Sequence, residues 1–161
     1  MRNTVPIWRA AGESGDAAAA VTALSPEAVL ISPITEQFTF RGHTQIGGLL
    51  EVAFATIDDI TYTDQVAEGR TVALFYRATV SGTPIHEAQR LRLGEDGLIT
   101  EITLYIRPLP ALTHLMTTLG PALARRNNQP GLARVIPVAG GLLHSMAATG
   151  ERHIMPKARP R

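Results

Sequence analysis

The side chains able to do acid–base or metal chemistry are scattered along this sequence and form no established catalytic motif. The chain has no cysteine, and its five histidines stand singly, without the spacing typical of metal ligands. His86 and Glu87 are adjacent, as are Asp58 and Asp59, but neighbouring residues of a strand point to opposite faces. Gly-rich phosphate loops, nucleophile elbows and HExxH patterns are missing from the sequence. We therefore expect neither a metal nor a cofactor.

The elements that must position any site are clearest between residues 82 and 108. Two runs of alternating apolar residues flank Glu95-Asp96-Gly97, and an Asp-Gly pair between such runs is a strong hairpin signal. Residues 56–68 and 72–80 alternate in the same way, with turns at Gly69 and at Ser81-Gly82. The sequence therefore predicts a meander of long antiparallel strands.

Helices and short strands are predicted before this meander. Gly15-Asp16 precedes an alanine-rich run, 17–24, that is typical of an N-capped helix. Residues 28–32 and 37–41 form short extended pieces, and residues 46–54 carry apolar side chains at helical spacing. Helices followed by consecutive strands indicate an α+β fold instead of alternating βαβ units.

The C-terminal part has a different character. We predict one domain over residues 1–126 and an extension over 127–161 that is partly helical, with a disordered end beyond Gly150. Gly120-Pro121 and Pro137 should kink or break the helices that contain them. Basic residues concentrate in this last quarter, but they are scattered and lack interleaved aromatic residues. This composition favours a solvated tail, so no nucleic-acid partner is expected.

The expected location follows from two hydropathy observations. The N-terminal sequence lacks the apolar segment of a secretory signal, and no uninterrupted apolar run is long enough to span a bilayer. We therefore expect a cytoplasmic protein without a membrane partner.

Five short motifs occur in an order that carries a family resemblance. They are Gly15-Asp16, Ser32-Pro33, Phe40-x-Gly42-His43-x-x-Ile46, Asp96-Gly97-x-Ile99 and Arg107-Pro108. Over about residues 5–125 the chain resembles the nuclear transport factor 2-like superfamily, and most closely the SnoaL-like polyketide cyclases and the ketosteroid isomerases. The resemblance implies a cone, in which a curved antiparallel sheet wraps around helices and encloses an apolar pocket. It also implies a homodimer formed through the sheet.

The three catalytic positions of the ketosteroid isomerases are all changed here. The resemblance puts Trp8 at the oxyanion tyrosine, Ser32 at the aspartate base and Gln89 at the protonated aspartate. A serine without an activating partner is a poor proton acceptor, whereas tryptophan and glutamine still donate hydrogen bonds. We therefore expect no standard ketosteroid isomerase. The aspartate-based epoxide hydrolase mechanism of this fold is also disfavoured, because residues 99–107 contain no aspartate.

The same alignment predicts which side chains line the cone. Glu87 is the one inward carboxylate on its strand, and a position at the rim in water is favoured over a buried base. Asp64, if it points inward, is the other candidate base. The expected ligand-binding residues are Trp8, Ser32, Phe40, Phe54, Tyr62, Leu74, Tyr76, Gln89, Leu91, Leu104 and Ile106.

Three functions remain compatible with these residues. The first is binding of a small apolar metabolite that carries oxygen, since a largely apolar cavity with a few polar groups suits such a ligand. The second is a cyclase, isomerase or epoxide hydrolase-type enzyme in which Glu87 or Asp64 is the base. The third is a non-catalytic dimerisation domain whose interior is filled by side chains.

Overall fold

The computed structural model describes residues 4–160 and divides into two compact units between Ile106 and Arg107. The first unit contains α1 (Val5–Ser14), α2 (Ala17–Thr22), β1 (Leu24–Ile31), β2 (Phe40–Arg41), α3 (Gly42–Phe54), β3 (Ile57–Glu68), β4 (Thr71–Val80), β5 (Thr83–Leu93) and β6 (Ile99–Arg107), whose last residue begins the second unit. This order confirms the predicted α+β class. The family domain that we predict, 1–126, extends past this division and stays a prediction.

One mixed sheet organises the first unit. Its strands lie in the order β2-β1-β6-β5-β4-β3, so the predicted meander from β3 to β6 forms four adjacent strands of the sheet. β1 pairs with β6 in the parallel direction, which a purely antiparallel sheet does not allow. The long connection through α3 and the meander makes this possible, because parallel neighbours need a crossover.

The hairpin between β5 and β6 turns as its sequence predicts. Gly97 has a φ of 82°, which is in the left-handed region that glycine adopts freely. The Asp96 side chain accepts a hydrogen bond from the Leu98 amide at 3.0 Å, closing an Asx turn. This turn also holds Thr4, the residue before α1, since the buried Thr4 hydroxyl donates to the Gly97 carbonyl at 2.6 Å. The start of α1 is therefore fixed against the sheet.

The two N-terminal helices meet at a residue pair that the sequence identifies. Gly15 adopts a left-handed conformation after α1, and the Asp16 carboxylate accepts from the Ala19 amide at 2.9 Å. α2 ends at Thr22, before the end of the predicted helical run 17–24, because β1 already begins at Leu24. Trp8 lies on the buried side of α1, which faces the sheet.

The second unit is built from α4 (Leu109–Arg126), α5 (Pro130–Thr149), a π-helical turn (Gly150–Ile154) and a 3-10 turn (Met155–Ala158). Pro121 and Pro137 break neither helix, which corrects the expected interruption. The two helices approach each other closely beside these prolines, since a Cβ on Gly120 would lie 2.9 Å from Ile136. Helical turns continue to Ala158, where we expected disorder; Arg161 lies outside the described residues.

The helical segment Pro130–Ala158 also qualifies, by length and composition, as one able to cross a bilayer. The sequence was expected to contain no membrane-spanning segment, because none of its uninterrupted apolar runs is long enough. Here the helix carries isolated polar residues, such as Arg134 and His144, among apolar ones, and its mean hydropathy remains 1.2 over eighteen residues.

Candidate functional site

A chain of hydrogen bonds crosses the interior of the first unit from α1 to β5. The Trp8 indole nitrogen donates to Gln89 Oε1 at 2.8 Å, and Gln89 Nε2 donates to Glu87 Oε1 at 2.8 Å. All three side chains are buried. Because Glu87 and Gln89 are two apart on β5, they share one face of the strand.

Two tyrosines from the neighbouring strands complete this network. The Tyr62 hydroxyl donates to Gln89 Oε1 at 3.3 Å, and the Tyr76 hydroxyl hydrogen-bonds to the Glu87 carboxylate. The two rings pack edge to face with centroids 5.4 Å apart. We call Trp8, Tyr62, Tyr76, Glu87 and Gln89 the inner network.

Strand register explains why these residues meet. Tyr62 of β3 lies opposite Tyr76 of β4, and Tyr76 lies opposite Glu87 of β5. Side chains directly opposite each other in a sheet lie on the same face, so the three form one cross-strand row. Gln89 begins the next row, beside Leu74.

The approach of α1 to β3 depends on a small residue. A Cβ on Gly12 would lie 3.0 Å from the Tyr62 hydroxyl oxygen, so any side chain there would crowd the inner network. On the same helix, Glu13 accepts a hydrogen bond from the Tyr62 amide at 3.1 Å, and the Arg9 guanidinium lies 5.4 Å from the Tyr62 ring centroid. α1 therefore contacts Tyr62 of β3 at both its backbone amide and its ring.

Burial controls the protonation of the inner network. Loss of solvent raises the pKa of Glu87 from its usual 4.5 to about 7, although hydrogen bonds from Gln89 and Tyr76 act in the opposite direction. Burial and the nearby Glu87 carboxylate both raise the pKa of the Tyr62 and Tyr76 hydroxyls. Both tyrosines are therefore neutral donors at physiological pH, and Glu87 is the one member that changes charge there.

The expectation that Glu87 lies at the rim of the cone, in water, is wrong. Its side chain is 4% exposed and is enclosed by Gln89, Tyr76 and the apolar residues of the interior. A carboxyl group can be buried here because the pKa shift lets it accept a proton, and because two donors satisfy it when it is ionised. The sequence predicted its face correctly but not its depth.

Asp64 is not an inward base. The register of β3 against β4 shifts between Tyr62 and Asp64, so that Tyr62 lies opposite Tyr76 while Asp64 lies opposite Phe75. Thr63 is the extra residue of this bulge, and one extra residue reverses the faces that follow. Asp64 is exposed as a result. Strict alternation of polar and apolar residues had suggested the other face.

Ser32 lies apart from the inner network. It follows the end of β1, is half-buried, and its hydroxyl accepts from the Ile34 amide at 3.1 Å in a local turn. Within residues 4–160, no hydrogen bond joins it to Trp8 or Gln89. The structure gives this serine the geometry of a turn residue.

The apolar residues expected to line the cone differ in depth. Leu74 and Leu91 are fully buried beside Gln89 on β4 and β5. Four others are half-buried, namely Phe40 on β2, Phe54 at the end of α3, and Leu104 and Ile106 on β6. The inner network is therefore surrounded by aliphatic side chains at its centre and by partly exposed ones away from it.

One arrangement escaped the sequence analysis. The rings of His114 of α4 and His144 of α5 pack at an angle of 50° with centroids 4.9 Å apart, and the Thr113 hydroxyl lies 3.1 Å from His144 Nδ1. Thirty residues separate the histidines, so no local spacing could reveal the pair. Residues 4–160 nevertheless contain no group of three or more side chains suited to a metal ion. Burial, and then the adjacent His144, lowers the pKa of His114.

The family is decided by a match to residues 8–102, which cover more than half of the chain. The chain belongs to the SnoaL-like domain family. The matched segment begins at Trp8 and ends on β6, so it contains every member of the inner network. The predicted superfamily is thereby confirmed.

Solved structures place this SnoaL-like protein among relatives of the same fold. A steroid delta-isomerase from Pseudomonas aeruginosa is 25% identical, with a TM-score of 0.71 over 78% of this chain and 92% of that one. A cystatin-like protein from Silicibacter pomeroyi is 18% identical, with a TM-score of 0.73 over 82% and 95%. A putative polyketide cyclase from Sinorhizobium meliloti is 16% identical, with a TM-score of 0.54 over 65% and 94%. No curated protein matches the sequence.

Proposed function

We propose that this SnoaL-like domain binds a small, largely apolar molecule carrying a carbonyl or hydroxyl oxygen at the inner network. The observation that carries this proposal is the chain from Trp8 through Gln89 to Glu87, buried among aliphatic side chains. Sites for such ligands combine apolar walls with a few convergent polar groups. The resemblance of the fold to isomerase and cyclase structures supports the same ligand class.

The hydrogen-bonding inventory defines the ligand further. The Trp8 indole and the Gln89 amide are donors, so a ligand oxygen can replace one of their internal partners. The Glu87 carboxylate is an acceptor and repels anions when it is ionised. No lysine or arginine belongs to the hydrogen-bonded set formed by the described residues of the inner network. A neutral ketone or alcohol therefore fits better than a carboxylate or a phosphate ester.

The test uses Trp8, the single tryptophan of the chain, as its own reporter. Prodan, a fluorescent aryl ketone whose emission moves to shorter wavelength in apolar surroundings, is titrated while Trp8 emission is followed. We expect saturable binding that Gln89→Leu weakens about tenfold, because that change leaves the indole donor unpaired and removes the amide. The matched control is Gln65→Leu, which changes an exposed glutamine that pairs with Arg9 at 3.2 Å.

Two results would overturn the binding proposal. One is prodan emission that does not shift with the wild-type protein while native mass spectra of protein from its own host show no bound small molecule. The other is equal loss of prodan binding in Gln89→Leu and Gln65→Leu, which would place the binding site outside the inner network.

A second candidate function, proton transfer by Glu87, is favoured by a specific observation. At neutral pH a carboxyl group with a pKa of about 7 is present in both its ionised and its protonated form. The ionised form can remove a proton from a carbon next to the ligand carbonyl, and the protonated form can return it to another carbon. The electron pair of the broken C–H bond moves onto the carbonyl oxygen, where a donated hydrogen bond stabilises it.

Glu87 is the base in this proposal because the other residues considered, Asp64 and Ser32, do not belong to the inner network. Asp64 is on the outer face, and the Ser32 hydroxyl is engaged in its own turn. The base would therefore stand on β5, beside the position that the isomerase resemblance assigns to a protonated aspartate. We expect no rapid double-bond migration in a 5-ene-3-ketosteroid, because that substrate is isomerised from a differently placed base.

Hydrogen–deuterium exchange tests proton removal without knowledge of the natural substrate. Prodan has a methylene group next to its carbonyl, and its exchange in heavy water is followed by mass spectrometry. Glu87→Gln is expected to slow enzyme-dependent exchange by ~10²–10⁴-fold, whereas Glu68→Gln, an exposed change on β3, leaves it unaltered. The wild-type rate should rise with pH through about 7 as Glu87 ionises. Exchange that is absent, or that is the same in both variants, would contradict a catalytic role.

A further inference from the structure

α5 has two apolar sides, and only one of them is covered. Towards α4 it places Ala133 and Gly140, which are buried, and a Cβ on Gly140 would lie 2.9 Å from Thr117. Its other side is exposed and carries seven apolar residues. We call this set the outer stripe: Leu132, Val135, Val138, Ala139, Leu142, Leu143 and Met146.

The outer stripe is unusually exposed for side chains of its size. Val138 is 75% exposed, Leu142 67% and Met146 65%. At 3.6 residues per turn the seven positions cover an arc of roughly 140°. A seam between two helices is narrower than this, because it uses only the a and d positions of each heptad. The width of the stripe fits an extended apolar phase.

The charges around the outer stripe are almost all positive. From residue 107 to 160 the chain has seven basic side chains and one acidic one, Glu151, whereas residues 1–106 contain the other thirteen acidic residues. Arg134 stands near the start of α5, and Arg152 and Lys157 follow its end. Positive charge at both ends of an apolar stripe is typical of helices that lie on anionic membranes.

The same charges disfavour a second copy of α5 as the occupant. A parallel pair of α5 helices would bring Arg134 close to its own counterpart. An antiparallel pair would bring Arg134 towards both Glu151 and Arg152 of the other copy, so that attraction and repulsion offset each other. Neither arrangement gains from these charges, whereas the phosphates of anionic lipids would attract Arg134, Arg152 and Lys157 alike.

We propose that the outer stripe of α5 docks on the surface of an anionic lipid bilayer, with its apolar residues among the acyl chains and its flanking cations at the headgroups. The helix lies in the interface in this arrangement, and its opposite side remains packed on α4. Membrane binding of this kind was not expected from the sequence, and it is independent of the function proposed for the inner network.

The experiment is flotation of the full chain with lipid vesicles. We expect binding to vesicles of phosphatidylcholine with one quarter phosphatidylglycerol and at least tenfold weaker binding to pure phosphatidylcholine. Val135→Glu should weaken binding to the anionic vesicles by about tenfold or more, since it removes an apolar group that the bilayer would bury and adds a negative charge. The matched control is Val66→Glu, the same substitution at a similarly exposed valine of β3, which should leave binding within about twofold.

Charge removal gives an independent arm of this test. Arg152→Gln combined with Lys157→Gln should weaken binding to the anionic vesicles about tenfold, and high salt should release the protein. The proposal is overturned by failure to bind anionic vesicles or by equal effects of Val135→Glu and Val66→Glu. Retention of the protein in the vesicles at high salt and alkaline pH would indicate a spanning helix. A Val135→Glu variant that turns an α5-linked dimer into a monomer without vesicle binding would identify a second copy as the occupant.

Discussion

At the scale of single residues, Glu87 is the buried side chain whose protonation affects both the proposed chemistry and the stability of the fold. Its neighbours on β5, Ile85 and Leu91, are wholly buried, and they form part of the apolar surroundings that raise its pKa to about 7. A purely structural position would be served equally well by an uncharged glutamine, which keeps the hydrogen-bonding shape. The titration of Glu87 leaves a trace in stability.

We predict that the free energy of unfolding falls as pH rises from 4.5 to 7 because of Glu87. The folded protein holds a proton on this carboxyl throughout that window, whereas the unfolded chain has already lost it, so raising the pH favours unfolding. The shift corresponds to roughly 3 kcal/mol. Urea denaturation at several pH values measures it. Glu87→Gln should remove this decline and Glu68→Gln should preserve it; an unchanged decline in Glu87→Gln would show that another group is responsible.

The identities in the inner network could be predicted, but their contacts could not. The resemblance indicated Trp8 on α1 and Gln89 on β5 as donors to a ligand oxygen, whereas the structure joins the two side chains to each other by a hydrogen bond of 2.8 Å that Gln89 accepts. The depth of Glu87 depends on how α1, β3 and β4 close around it. No single stretch of sequence contains that information, because the enclosing residues lie up to 81 positions apart.

At the scale of elements, period-two alternation predicted all four meander strands but missed two register shifts in β3, between Asp58 and Thr61 and between Tyr62 and Asp64. Alternation assigns faces correctly only while the strand register is regular, and the bulge at Thr63 of β3 reverses the face of Asp64. In the helices, local rules predicted interruptions that do not occur. Both α4, which contains Pro121, and α5, which contains Pro137, are continuous.

The packing of α4 on α5 yields the second prediction. Gly140→Val places a side chain where a Cβ would lie 2.9 Å from Thr117 Cγ2, so the Thr117 side chain or the helix itself must shift. Overpacking of this kind costs about 1–3 kcal/mol. Hydrogen exchange of α5 amides should accelerate in this variant.

The matched control for this prediction is the next residue along the helix. Gly141→Val adds the same side chain with the same helix propensity, but no atom lies within 4 Å of the position of its Cβ. We expect α5 amides to retain their protection there. Equal acceleration in both variants would mean that valine weakens the helix itself and that the Gly140 contact with α4 is unimportant.

At the scale of the whole molecule, the outer face of the sheet exposes two aromatic side chains, Phe75 and Tyr105. Phe75 lies opposite Ala88, and Arg90 shares the face of Ala88 and bonds to Glu101 and Thr103 of β6. Tyr105 follows Thr103 by two residues and therefore shares this face too. Exposed aromatic side chains beside a partly buried ion pair have the mixed character of a protein interface.

We predict that two copies of the chain associate through this face with two-fold symmetry, so that Phe75 and Tyr105 of each copy are buried. The superfamily resemblance led us to expect such a dimer, and the exposure of Tyr105, at 54%, supplies the apolar surface for it. Sedimentation at micromolar concentration should show a dimer for the wild-type chain and a monomer for Tyr105→Glu, because a carboxylate desolvated at the centre of an interface is strongly unfavourable. Phe38→Glu alters an aromatic residue with similar exposure before β2 and should leave the dimer intact. A monomeric wild-type chain, or dissociation in the Phe38→Glu control as well, would refute association through the sheet.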